Sequence, residues 1–112
     1  LADCIAETKA DLARTDLMAP LVGHVGDGNF HLAILIDPDD PAERAEAERI
    51  SKRIADCALR LGGTVTGEHG VGVGKIGYMQ AEHGAALGVM AAIKRALDPQ
   101  DILNPGKIVD PG

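Results

Sequence analysis

Leu21-Val22-Gly23-His24-Val25-Gly26-Asp27-Gly28-Asn29-Phe30-His31-Leu32-Ala33-Ile34-Leu35-Ile36 is the stretch that decides the fold. Two β-branched and aliphatic runs, Leu21 to Val25 and Asn29 to Ile36, flank Asp27-Gly28. That pattern predicts an antiparallel hairpin over residues 21–36. With Asp27 and Gly28 as the two loop residues, Gly26 pairs with Asn29, Val25 with Phe30, and His24 directly opposes His31. Directly opposed residues carry Cβ atoms about 4.5–5.5 Å apart on one face, so both imidazoles can reach a single ion at a Zn–N distance of about 2.0–2.1 Å.

Outward from the hairpin, the periodicity turns helical. Leu1, Ile5, Thr8 and Leu12 recur at helical spacing, which predicts a helix over residues 1–14 that ends before Pro20. Beyond Asp37-Pro38-Asp39, Asp40 is positioned as an N-cap before Pro41, and Glu43 completes a pattern like a capping box. The helix this starts runs over 41–61, with Ile50, Ile54, Cys57, Ala58 and Leu61 on its buried face, and Gly62-Gly63 stop it. Thr64-Val65-Thr66 reads as a short strand near 64–66, and Ala86, Met90, Ile93 and Leu97 form the inner stripe of a helix over about 80–97. Residues 102–109 read as a turn with a short extended exit. The fold class is therefore α+β, a small antiparallel sheet packed with three helices.

Composition limits what such a unit can do. The chain has 112 residues with one Phe, one Tyr and no Trp, so its core is aliphatic. This is the size of one small domain. The net charge of −6 and the absence of any cluster among the eleven Lys and Arg residues argue against nucleic acid as a partner. No apolar run approaches a membrane span and no signal-peptide order is present, which predicts a cytoplasmic setting, or one peripheral to a membrane. Cys4 and Cys57 lack the spacing of a zinc ribbon or a redox pair and read as reduced core thiols. Leu1 already lies inside a helical pattern, so the sequence reads as a fragment of a longer protein.

A second segment, Gly67-Glu68-His69-Gly70-Val71-Gly72, adds a carboxylate and a third imidazole. Glu68 can join His24 and His31 if the 64–66 strand lies beside the hairpin. Two histidines and one carboxylate leave positions open on a divalent ion, as catalysis requires. In extended backbone adjacent side chains alternate, so Glu68 and His69 are expected on opposite sides, one on the metal and the other available as a base. Two other readings stand beside this one. A structural metal-binding module without redox activity predicts a closed four-ligand site, and a metal-dependent hydrolase makes Glu68 the base on a metal-bound water. The run from Gly70 to Lys75 is no Walker loop, because His69 and Ile76 stand where that motif needs Gly and Ser or Thr. His83 reads as solvent-exposed, and Met79 and Met90 as core filler.

Taken in order, His24 to His31, Gly67 to Gly72 and Leu103-Asn104-Pro105-Gly106-Lys107 resemble the C-terminal end of FAD-linked 2-hydroxyacid oxidoreductases, flavoproteins of the vanillyl-alcohol-oxidase-like superfamily. That group includes D-lactate dehydrogenase, the glycolate oxidase flavoprotein subunit and D-2-hydroxyglutarate dehydrogenase. The resemblance implies that residues 1–112 are a single C-terminal, substrate-side domain, part of a ferredoxin-like cap, with the FAD-binding domain elsewhere in the same polypeptide. It implies His24, His31 and Glu68 as ligands of Zn or Mn, and His69 as the base that takes the hydroxyl proton while hydride leaves C2 for flavin. Asn29 and Asn104 become flavin-side contacts.

Relatives acting on 2-hydroxyglutarate carry Asn where this chain has Ala33, which leans the small 2-hydroxy acid toward lactate or glycolate. The electron acceptor is not specified by these residues. The isolated chain is expected to be inactive and to expose a surface that self-association can cover.

Overall fold

The computed structural model describes residues 1–109, and the chain divides into two compact units, Leu1–Gly63 and Thr64–Gly112. In the first unit, helix α1 (Ala2–Leu12) is followed by strand β1 (Leu21–His24), strand β2 (Asn29–Leu32) and helix α2 (Pro41–Arg60). The second holds a glycine-rich loop, a 3-10 turn at Ile76–Tyr78, helix α3 (Met79–His83) and helix α4 (Ala86–Leu97). The α+β class is as expected.

The hairpin forms, but with a different loop. Val25–Asp27 makes a 3-10 turn and Gly28 closes it at φ 72°, its N–H bonding Val25 O at 3.2 Å. A two-residue I′ turn needs positive φ at both central residues. Here only Gly28 supplies it, so the connection takes four residues and β1 and β2 pair as Leu21↔Leu32, Val22↔His31, Gly23↔Phe30 and His24↔Asn29. The same register continues through Ala33 N–H to Pro20 O at 3.1 Å and Leu35 N–H to Met18 O at 2.9 Å. Gly23 is required by this pairing, because a Cβ there would stand 2.6 Å from Asn29 O and 2.6 Å from Phe30 Cα.

Helix α2 begins as its sequence dictates. The Asp40 carboxylate accepts the N–H groups of Ala42 at 2.7 Å and Glu43 at 3.3 Å. Glu43 reaches past the cap instead of closing a box on it, and accepts the Asp37 N–H at 2.7 Å. The helix packs on α1, where Cys4, Thr8 and Asp11 face Ile50 and Cys57, all five buried. Ile50 is fully buried, and the Thr8 hydroxyl is satisfied by Cys4 O at 2.8 Å. Asp11 is buried with a partner, since Arg49 Nη1 donates to both its oxygens at 3.0 and 3.1 Å. Both cysteines are free thiols, and burial, followed by a hydrogen bond with Cys4, pushes the Cys57 thiol up to about 11. That keeps it protonated and unreactive.

Four expectations fail in the second unit. Residues 64–66 form no strand, because Thr66 N–H bonds Thr64 Oγ1 at 3.2 Å and His69 N–H bonds Thr66 O at 3.1 Å, which curls the segment into turns. The helix over 80–97 is two helices, broken where Gly84 takes φ 51°. The inner stripe of α4 is not a core: no residue of α4 is buried, and Ile93 and Leu97 are exposed. Met79 is buried, as expected. The exit after residue 106 is not extended, since Val109 N–H turns back to Lys107 O at 2.7 Å. Among the described residues no helix is long and apolar enough to cross a membrane.

Candidate metal and substrate site

His24 and His31 come together, though not as directly opposed residues. His24 faces Asn29 and His31 faces Val22, so the two histidines are diagonal neighbours. The register differs from the expected one by an even number of residues, and with a side-chain period of two that leaves both rings on the same face. Their centroids are 5.6 Å apart at an interplanar angle of 83°. An imidazole bound to zinc at about 2.0–2.1 Å has its ring centre about 3 Å from the ion, so two such rings at a tetrahedral angle lie about 5 Å apart. The observed pair fits that spacing with small adjustments of side-chain torsions. His24 is exposed and His31 half-buried, with the Nε2 atom of His31 shielded from solvent. Asn29, half-buried, shares their face across from His24.

Glu68 and His69 form the other half of the sequence-predicted set, within the second unit. Their expected placement on opposite sides rests on extended backbone, and the backbone here is a turn: Gly67 has φ 48° and Gly70 φ 76°, values that glycine adopts without strain. The two side chains therefore approach each other, with His69 Nε2 3.4 Å from Glu68 Oε1. A carboxylate has two oxygens and about four lone-pair sites, so Glu68 can serve a cation and the His69 ring together. Both side chains are well exposed, at 68% for His69 and 48% for Glu68.

Asn104 lies in the tail of the second unit at φ 50°, a conformation Asn tolerates better than most residues, so its identity also has a backbone reason. That tail is organised by two residues sequence reasoning passed over. Lys94 on α4 bonds the buried Asp98, and Asp98 accepts the N–H groups of Ile102 at 3.1 Å and Leu103 at 2.9 Å. Lys94 also donates to Leu103 O at 2.6 Å and lies 3.0 Å from Asp101 Oδ1. The Lys94 bond, with the two backbone donors, holds the Asp98 carboxyl below its usual range, and the same bond raises Lys94. The i,i+4 spacing of Lys94 and Asp98 was a readable signal of the pair. A third overlooked residue is Glu82, which is 10% exposed and accepts the Val65 N–H at 3.2 Å. Its neighbour His83, expected in solvent, is half-buried with Nε2 3.7 Å from Glu82 Oε1.

Comparison with known proteins gives these residues a setting. A family model described as FAD linked oxidases, C-terminal domain, matches residues 1–108. The chain is 46% identical over 112 residues to a mitochondrial D-lactate dehydrogenase [cytochrome] of Arabidopsis thaliana, covering 99% of this chain and 20% of that protein. It is 42% identical over 93 residues to glycolate oxidase subunit GlcD of Escherichia coli K12, covering 82% of this chain and 19% of that subunit. A D-2-hydroxyglutarate dehydrogenase of Xanthomonas citri is 36% identical over 112 residues, with 95% of this chain and 24% of that protein covered. The chain thus spans about a fifth of the length of the curated relatives it matches. With a match over nearly its whole length, the chain belongs to the C-terminal domain family of FAD-linked oxidases.

Proposed function

We propose that this chain is the substrate- and metal-binding portion of an FAD-dependent D-2-hydroxyacid dehydrogenase, acting on D-lactate or glycolate to give the 2-oxo acid. The observation that carries the reading is the pair of imidazoles on one hairpin face, spaced for a shared ion, in a chain whose relatives are named for 2-hydroxy acids. In this reading His24, His31 and Glu68 hold Zn or Mn, and a cation so held supplies a Lewis acid for the substrate's 2-hydroxyl and carboxylate oxygens. Three protein ligands leave room for those oxygens. His69, whose Nε2 lies 3.4 Å from Glu68 Oε1, takes the hydroxyl proton. FAD, bound mainly by another domain of the same polypeptide, supplies the acceptor for the hydride that leaves C2. Asn29 and Asn104 would be its contacts on this side.

Ala33 is the reason to favour a monocarboxylic substrate, because a methyl offers no hydrogen bond to a second carboxylate. The full-length protein is the active species, and its partners are the small 2-hydroxy acid, its own FAD-binding domain and an electron acceptor. Anaerobic mixing of the purified flavoprotein with D-lactate, glycolate or D-2-hydroxyglutarate tests the assignment. Bleaching of the flavin absorbance by D-lactate or glycolate, with a higher kcat/KM than for D-2-hydroxyglutarate, is expected. Preference for D-2-hydroxyglutarate contradicts the substrate assignment, and no bleaching by any of the three contradicts the activity.

A further inference from the structure

We infer that Glu82 is a positioning residue for the Glu68-His69 turn, holding the turn through the backbone of Val65; the inference rests on the proposed roles of Glu68 and His69. The turn is rich in glycine. Gly67, Gly70 and Gly72 all take positive φ, at 48°, 76° and 54°, and glycine in such a segment leaves the chain many alternatives. Catalysis by a base depends on placing one nitrogen to within fractions of an ångström. A bond from outside the loop adds to the local ones that hold it.

The loop is bonded at both ends. Upstream, Glu82 Oε2 accepts the Val65 N–H at 3.2 Å, and the carboxylate is only 10% exposed. From Val65 the constraint passes along short local bonds. Thr66 N–H donates to Thr64 Oγ1 at 3.2 Å, the two threonine hydroxyls are 2.9 Å apart, and His69 N–H closes the turn on Thr66 O at 3.1 Å. Downstream, Gly72 O accepts the Ile108 N–H at 3.0 Å. Glu82 is carried by α3, whose Met79 is buried. His83 Nε2, 3.7 Å from the other Glu82 oxygen, gives the carboxylate a second neighbour. A glutamine at 82 keeps a carbonyl oxygen for Val65, whereas alanine removes it and aspartate withdraws it by one methylene.

The test has two arms. Amide hydrogen exchange on the chain compares wild type with Glu82→Gln, Glu82→Ala and Glu82→Asp. Val65 and His69 amides are expected to exchange at least about tenfold faster in the alanine and aspartate variants, and near the wild-type rate in the glutamine variant, with α4 amides unchanged. Should alanine unfold the second unit, which loss of α4 protection reveals, the aspartate variant carries the comparison. Unchanged Val65 exchange in the variant that stays folded overturns the inference. In the flavoprotein, Glu82→Asp is expected to lower kcat about tenfold to a hundredfold with rescue by Glu82→Gln. A wild-type kcat for Glu82→Asp beside an inactive His69→Ala overturns the positioning role, whereas full activity of His69→Ala overturns the proposed base and leaves the exchange arm to decide Glu82.

Discussion

His69→Ala in the flavoprotein that carries this chain is expected to lower kcat for D-lactate or glycolate by about 10²–10⁴-fold, the usual contribution of a positioned general base. That corresponds to about 2.7–5.4 kcal/mol of transition-state stabilisation. KM should change little, because in the proposed site substrate binding falls to the cation and its ligands and not to the base. Dye-coupled rates measured across substrate concentration separate the two constants. Retention of wild-type kcat by the alanine variant removes His69 from the chemistry.

Ile50→Ala is expected to destabilise the first unit by about 2–4 kcal/mol. Ile50 is fully buried, in a core whose other buried members are Cys4, Thr8, Asp11 and Cys57, so it is the one large aliphatic side chain wholly removed from solvent in that unit. Against a typical domain stability of about 5–15 kcal/mol the loss is large. Urea unfolding followed at α1 and α2 amides should show a lower midpoint with an unchanged slope, and Ile50→Val should cost only about 0.5–1.5 kcal/mol. An alanine variant with the wild-type midpoint would mean that the α1–α2 contact is not what holds this unit together.

What the residues disclosed depended on how local the governing interaction was. The start of α2 is a matter of four consecutive residues, and Asp40 caps it as its position implies. The hairpin was also legible, yet its loop was not, because Asp-Gly signals a reversal without fixing whether two or four residues make it. The face carrying His24 and His31 survived that difference only because the register moved by an even step. Thr64 to Thr66 has strand composition, but hydroxyls that bond neighbouring amides compete with a ladder, and they prevail here. Helical periodicity in Ala86 to Leu97 was real, whereas burial of its stripe was not, since periodicity identifies an apolar face without supplying what covers it. The Glu82 bond to Val65 spans seventeen residues and has no sequence signature at all.

Metal titration of the purified chain, by calorimetry with Zn²⁺ and by electron paramagnetic resonance with Mn²⁺, tests the central claim most directly. One equivalent should bind to the wild-type chain, and His24→Ala, His31→Ala and Glu68→Gln should each weaken it by at least about tenfold, more than outer-shell changes at their low end. If wild-type affinity persists after His24→Ala and Glu68→Gln, these side chains hold no catalytic cation and the proposed chemistry fails with them.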